Sequence, residues 1–302
     1  MAQRNHRVPV SYGASIMALE VLPARPVAEG VPTVVLAHGW CLDHTSWHKV
    51  VADLQARRNV RVVLFDQRGH GKSSMGEVGD PTVRILGDDL REVIDAVAPE
   101  GDLVLAGHSM GGMSVMAYAG MHYEHFTERV KGTVLASTAA SIEGRTPVPL
   151  ERVIMALASR APGIQPRVFI PRMVEGKLIF GPGAKREDIR HAVDQIKHTK
   201  MPTIGRFFYA IAGHDEMDAL GHFVDVPTHI IAGNHDRLIP VPHAEALRKR
   251  IPGADLNVLD GVGHMTTYEA SSIICDAIVG PVDSTVPRNH AAPAGNPLRS
   301  IP

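Results

Sequence analysis

A repeating order of short apolar runs and helical spacings constrains this chain most. Residues 33–37 (TVVLA) are apolar or β-branched and stop at His38-Gly39. Residues 61–65, 102–106 and 132–136 have similar character. Such runs, bounded by loop signals, are expected to be strands covered on both faces. Between them, apolar residues recur at helical spacing. Trp47, Val50, Val51 and Leu54 do so in residues 44–58, and Val83, Leu86, Leu90, Val93, Ile94 and Val97 form a second stripe. Asp80 is placed to cap that second helix and Pro81 suits its first position. Gly87 should cost it about 1 kcal/mol, and Pro99 ends it. A further helix is expected through Met113, Met116 and Tyr118. Near the N-terminus, VPVSYG and SIMALEVLP read as two strands meeting at Gly13, a candidate hairpin. Strands alternating with helices of this length imply an α/β fold with a mostly parallel sheet.

The pattern changes after about residue 140. No buried strand is expected from there to about 225, but helical spacing recurs in Leu150, Val153, Ile154 and Leu157, in Ile189, Val193 and Ile196, and in Ile204, Phe207, Phe208 and Ile211. Phe169, Phe180, Phe207, Phe208 and Phe223 all fall in this stretch. A helical insertion with an apolar surface to bury, suited to cover a ligand, is the expectation. The sheet should resume at 226–232, followed by a helix at 242–251, a strand at 255–259 and a helix at 271–279. The tail from Gly280 is rich in Pro, Asn, Ala and Ser and is expected to be disordered. The organisation read from sequence is a core of residues 1–140 and 226–280, an insertion of 141–225 and a tail of 281–302.

Among the 302 residues, 31 Lys and Arg stand against 32 Asp and Glu, so no net field draws the chain to nucleic acid or an anionic membrane. The N-terminal MAQRNHRVPVSYG has no apolar signal-peptide run, and no stretch nears the ~18 apolar residues of a membrane span. The expected compartment is the cytoplasm. Cys41 and Cys275 cannot build a disulfide framework, although they could pair if folding brought them together. Seventeen histidines invite metal hypotheses. His38, His44, His48, His122 and His125 nevertheless lack the H-E-x-x-H pattern and read as surface or loop residues. No metal and no cofactor are expected.

The strongest chemical signal is Gly107-His108-Ser109-Met110-Gly111, followed by Gly112. Alone, G-x-S-x-G is weak and could be a glycine-rich turn that happens to hold a serine. Here a strand precedes it and a helix follows. Such a turn strains the serine backbone, requires small neighbours two residues away on either side, and lifts the hydroxyl towards the helix N-terminus. Serine at its normal pKa needs a base. His264, in GVGH after the last strand, lies on a loop at the same edge of the sheet and has no evident packing role. Asp236, in GNHD after the preceding strand, is placed to orient that histidine. Asp66 is the competing carboxylate, but it precedes the serine. His108 reads as a packing and hydrogen-bonding residue. His214-Asp215-Glu216 reads as a solvated helix end, or else as a contact with a polar substrate group or with the His264 loop.

Over roughly residues 8–280 the chain resembles the α/β-hydrolase fold family. The likeness rests on the strand and HG loop at 33–39, FDQRGHGKS at 65–73, GHSMGG at 107–112, GNHD at 233–236 and GVGH at 261–264. It implies an eight-stranded, mostly parallel sheet, a helical lid inserted after strand six, and a triad of Ser109, Asp236 and His264. It also implies an oxyanion hole made by the Met110 and Trp40 amides, and a bracing role for the loop at 66–71. Trp40 is expected either to line an acyl pocket or to be a core tryptophan. Phe207 and Phe208 are further pocket candidates.

Relatives that open epoxides or displace halide use aspartate as nucleophile, so Ser109 points to acyl transfer. The expected activity is hydrolysis of a small apolar carboxylic ester through an acyl-enzyme. Alternatives are a thioester, lactone, amide or carbon–carbon bond beside a ketone, or perhydrolysis, since HGWCLDHTSWHKV resembles cofactor-free serine haloperoxidases. A non-catalytic binding protein on the same fold is the remote alternative.

Overall fold

The computed structural model describes residues 2–142, 151–165, 176 and 178–285. Its strands are β1 (Gln3–Val10), β2 (Ala14–Val21), β3 (Thr33–Ala37), β4 (Val62–Phe65), β5 (Leu103–His108), β6 (Val130–Ala136), β7 (Thr228–Gly233) and β8 (Asp255–Leu259). They form one eight-stranded sheet in the order β1-β2-β4-β3-β5-β6-β7-β8. The β1–β2 hairpin and the β2–β4 pair are antiparallel, and every later pair is parallel.

The apolar runs make central strands because alternate side chains enter different cores. Val35 and Ala37 of β3 and Leu103 and Leu105 of β5 join one cluster, with α2 (Val83–Val97) and α3 (Met110–Met121). Val34, Leu36, Val104 and Ala106 join the other, with α1 (His48–Arg57) and α10 (Ser271–Thr285). The edge strands β1 and β8 are largely exposed and look polar in sequence for that reason.

Two expectations need correction. Helix α2 begins at Val83 with Thr82 in the extended cap position, so Asp80 and Pro81 precede it and do not form its first turn. Helix α10 runs on to Thr285, so Gly280–Thr285 is not a disordered tail. Pro281 is tolerated in this helix because its buried ring packs against Gly132 of β6, where a Cβ would overlap it. That burial offsets the lost helical hydrogen bond. Leu150, Phe169 and residues 286–302 lie outside the described residues.

Between β6 and β7 the described residues include α5 (Glu151–Arg160), α6 (Arg186–His198), α7 (Met201–Ala212) and a 3-10 turn at Asp218–Phe223, joined by irregular segments. Helices α5 and α7 touch backbone to backbone at Gly205, where a Cβ would meet the Ser159 amide. The remaining helices are α4 (Tyr123–Arg129), α8 (Val241–Arg250) and α9 (Thr266–Glu269). Among the described residues, no helix is long and apolar enough to cross a membrane.

Candidate active site

Strand β5 passes into α3 through Ser109 alone, which takes φ 52° and ψ −120°. This is a strained conformation for a residue with a side chain. The surroundings hold it there. The Ser109 N–H donates to Ala136 O at 2.9 Å, and its carbonyl accepts from Gly112 N at 2.9 Å, Met113 N at 3.1 Å and Thr138 Oγ1 at 2.7 Å. The flanking glycines answer to space. A Cβ on Gly107 would lie 2.5 Å from Gly111 backbone atoms, and one on Gly111 would overlap the Ala37 carbonyl. Backbone cannot rotate away as a side chain can, so both positions exclude any larger residue.

The structure brings Ser109, His264 and Asp236 together. His264 Nε2 lies 3.0 Å from Ser109 Oγ, and His264 Nδ1 lies 2.7 Å from Asp236 Oδ2. The other Asp236 oxygen accepts the Leu238 and Ile239 amides, each at 2.9 Å. A carboxylate fixed in this way accepts from Nδ1–H. The Nε2 lone pair then faces the serine hydroxyl, which donates to it. All three residues are at most 8% exposed.

Asp66 is occupied elsewhere. Its carboxylate accepts His44 N at 2.9 Å, His44 Nδ1 at 2.7 Å and Lys72 N at 2.7 Å. Burial alone would raise its pKa, but the His44 hydrogen bond and charge outweigh it and hold the carboxyl below its usual range. It ties the start of the α1 region to the loop after β4 and makes no hydrogen bond to His264.

The neighbouring histidines are neutral struts. Burial takes His108 down to about 3, and its Nε2–H donates to the His264 carbonyl at 2.8 Å. Burial also lowers His38. Its Nε2 accepts the Gln67 amide at 2.8 Å while Nδ1–H donates to Gly39 O at 2.8 Å. Gln67 returns a side-chain hydrogen bond to the His38 carbonyl. Strong pKa perturbation here marks packing of the loops beneath the serine, not proton transfer.

Trp40 is partly buried, with its ring 6.3 Å from Phe208. Phe207, one residue away on α7, is fully buried 5.2 Å from His70 in the main core. Adjacent helical residues point about 100° apart, so the two pocket candidates part company and only Phe208 remains beside Trp40. Among the described residues, no hydrogen bond outside helices and strands uses the Trp40 or Met110 amide.

His214 and Glu216 turn away from the His264 loop. His214 Nε2–H donates to Ala139 O at 3.2 Å, and Glu216 forks with Arg84 at 2.7 and 3.1 Å beside a cleft of about 580 Å³. Asp43, His44 and Asp66 have ligand atoms within 4.8 Å of one another and form the one candidate metal cluster among the described residues. His44 and Asp66 are already hydrogen-bonded to each other, and Asp43 caps Thr45 at 2.8 Å.

Two further sets of contacts carry no signal in the sequence. Gln195 of α6 donates to Thr45 Oγ1 and Tyr268 Oη and accepts the Asp43 amide, while Lys49 pairs with Asp188 at 2.6 Å. These polar contacts fasten α6 to the core. Glu269, the last residue of α9, accepts the Gly181 amide at 2.7 Å and the Gly263 amide at 3.1 Å, next to His264. In sequence it is one acid on a short helix, with no spacing signal to mark it.

Comparison with known proteins agrees with this fold. The family model described as serine aminopeptidase, S33 matches residues 29–271. The chain is 28% identical over 238 residues to the monoacylglycerol lipase of Mycolicibacterium smegmatis, covering 76% of this chain and 80% of that one. A thermophilic esterase from Thermogutta terrifontis aligns with TM-score 0.73 and 22% identity over 93% of this chain and 99% of its own. The bromoperoxidase from Bacillus anthracis aligns with TM-score 0.75 and 20% identity over 93% and 100%. At those identities the two structures speak to fold alone. With the family match spanning most of its length and the sheet of this architecture beneath it, the chain belongs to the serine aminopeptidase S33 family of α/β hydrolases.

Proposed function

We propose that this hydrolase cleaves carboxylic esters with an apolar acyl or alcohol part, through an acyl-enzyme on Ser109. The observation that carries the reading is the unbroken hydrogen-bond chain Asp236–His264–Ser109, ending on a strained serine at a helix N-terminus. His264 Nε2 takes the hydroxyl proton as Ser109 Oγ attacks the ester carbonyl, and Asp236 stabilises the imidazolium. The Trp40 and Met110 amides then hold the oxyanion, where losing one donor typically costs about 10²–10³ in turnover. His264 gives its proton to the leaving alcohol. It next takes a proton from water, which attacks the acyl carbon, and returns that proton to Ser109 Oγ as the bond to the acyl carbon breaks and the acid leaves.

Residues 141–225 act in this reading as a lid over a core of 1–140 and 226–280. The Trp40–Phe208 pair supports an apolar substrate, because burying a methylene against such a wall stabilises binding by about 0.8 kcal/mol. The test is a panel of p-nitrophenyl esters of graded acyl length, with a thioester, a lactone and an alanine p-nitroanilide. The highest kcat/KM is expected on an ester. Turnover of the anilide above every ester would overturn the ester reading in favour of a peptidase.

A further inference from the structure

The insertion does more than lie over the core: one arm of it is bonded to the backbone that presents the general base. Residues 178–181 return from the insertion and run against the loop at 261–265. The His264 and Met265 amides both donate to Ile179 O, at 2.8 and 3.1 Å. A Cβ on Gly181 would overlap the Gly261 carbonyl, and one on Gly263 would lie 2.5 Å from the Gly181 amide nitrogen. The two segments therefore meet as bare backbone. Ile179 and Phe180 also share a small apolar cluster with Leu42, Met265 and Tyr268, against which Leu238 packs. That cluster draws on the loop after Trp40, the loop after Asp236 and the loop after His264.

Glu269 closes this junction. One of its oxygens, Oε2, lies 2.7 Å from the Gly181 nitrogen and 3.2 Å from that of Gly263, and Oε1 lies 3.1 Å from Gly263 N. Two N–H groups from different segments converge on one carboxylate. We propose that Glu269 is a positioning residue that clamps the insertion arm at Gly181 to the backbone at Gly263, and so sets where His264 stands relative to Ser109. This rests on the reading of His264 as the general base. Burial raises the Glu269 pKa, while the amides it accepts from oppose the rise. Each hydrogen bond to an ionised acceptor is stronger than a neutral one, and a misplacement of ~1 Å at a reacting group can cost about 10²-fold in rate.

The experiment compares wild type, Glu269→Ala and Glu269→Gln by p-nitrophenyl butyrate kinetics and by amide hydrogen exchange of peptides covering 178–184 and 261–266. The alanine variant is expected to lose about 100-fold in kcat with KM changed by less than about threefold. Glutamine keeps an oxygen for both amides and should stay within about tenfold of wild type. Exchange should rise in both peptides, more for alanine than for glutamine. An alanine variant within about threefold of wild-type kcat, equal losses in the two variants, or unchanged exchange would overturn the clamp. If alanine does not fold, the glutamine exchange result decides alone, with no rise counting against the proposal. Should Ser109→Ala retain ester turnover, the base reading fails, and the exchange data still decide whether Glu269 joins the two segments.

Discussion

Acidification should destabilise this protein by an amount that can be worked out from three buried histidines. Burial takes His70 and His108 down to about 3 and His214 to about 4. In the unfolded chain each returns to an imidazole pKa of about 6.5. Between those values the unfolded state binds more protons than the folded state, so stability falls as pH falls. One pKa unit is about 1.36 kcal/mol, so moving from pH 7 to pH 5 costs about 2 kcal/mol per histidine and about 6 kcal/mol for the three. Raised groups act oppositely, Glu269 among them. Burial pushes Asp89 up to about 6 against its Arg68 hydrogen bond, so it gains a proton in the folded state and returns about 1 kcal/mol. Burial would lower His44, but its bond to Asp66 raises it, and this also favours the folded state in acid. The groups with a definite shift leave a net loss of about 5 kcal/mol, a large share of the 5–15 kcal/mol that holds a domain folded. The assay is urea unfolding at pH 7.0 and 5.0, on wild type and His214→Gln, whose amide can still donate to Ala139 O. The variant should lose about 2 kcal/mol less than wild type between the two pH values. Equal losses would refute the assignment of His214 as a buried neutral group.

Further substitutions separate neighbouring roles. Asp236→Asn should lower kcat by about 10⁴, whereas Asp66→Asn should leave kcat within about tenfold and lower the urea midpoint, because one of its two buried acceptor oxygens becomes an NH2 facing an N–H donor and the charge that His44 pairs with is gone; steady-state kinetics showing the reverse would exchange the two roles. Gly111→Ala should abolish soluble folded protein, since its Cβ overlaps the Ala37 carbonyl, and a cooperative melt within a few degrees of wild type would contradict that packing. Phe208→Ala should raise KM for long acyl esters more than for acetate, as the wall beside Trp40 shortens; equal effects across the series would remove Phe208 from the pocket.

What could be read in the sequence tracks how local each signal is. Strands β3 to β6 were legible because both faces of each are buried, so the apolar run is continuous. Ser109 was legible because backbone-to-backbone contact at Gly107 and Gly111 admits no other residue, and Asp236 and His264 because each follows a strand on a glycine-marked loop. Strand ends moved by a residue or two. The end of α10 was misplaced because the composition from Gly280 looks unstructured, whereas Pro281 is retained inside the helix with its ring against the distant Gly132, which no local pattern records. Phe207 and Phe208 looked alike in sequence and differ only in the side of α7 they occupy. The Glu269 clamp and the His44–Asp66 pair join residues 88 and 22 positions apart. Neither follows a period, and both depend on the packing of loops.

The central claim is that Ser109 carries the acyl group. Intact-mass spectrometry after treatment with a fluorophosphonate, followed by peptide mapping, tests it directly, with Ser109→Ala as the control. One adduct per chain on the peptide holding Ser109, together with a fall of about 10⁴-fold or more in ester turnover for the variant, is the predicted result. An adduct on another residue, no adduct at all, or a variant within about tenfold of wild type would contradict it.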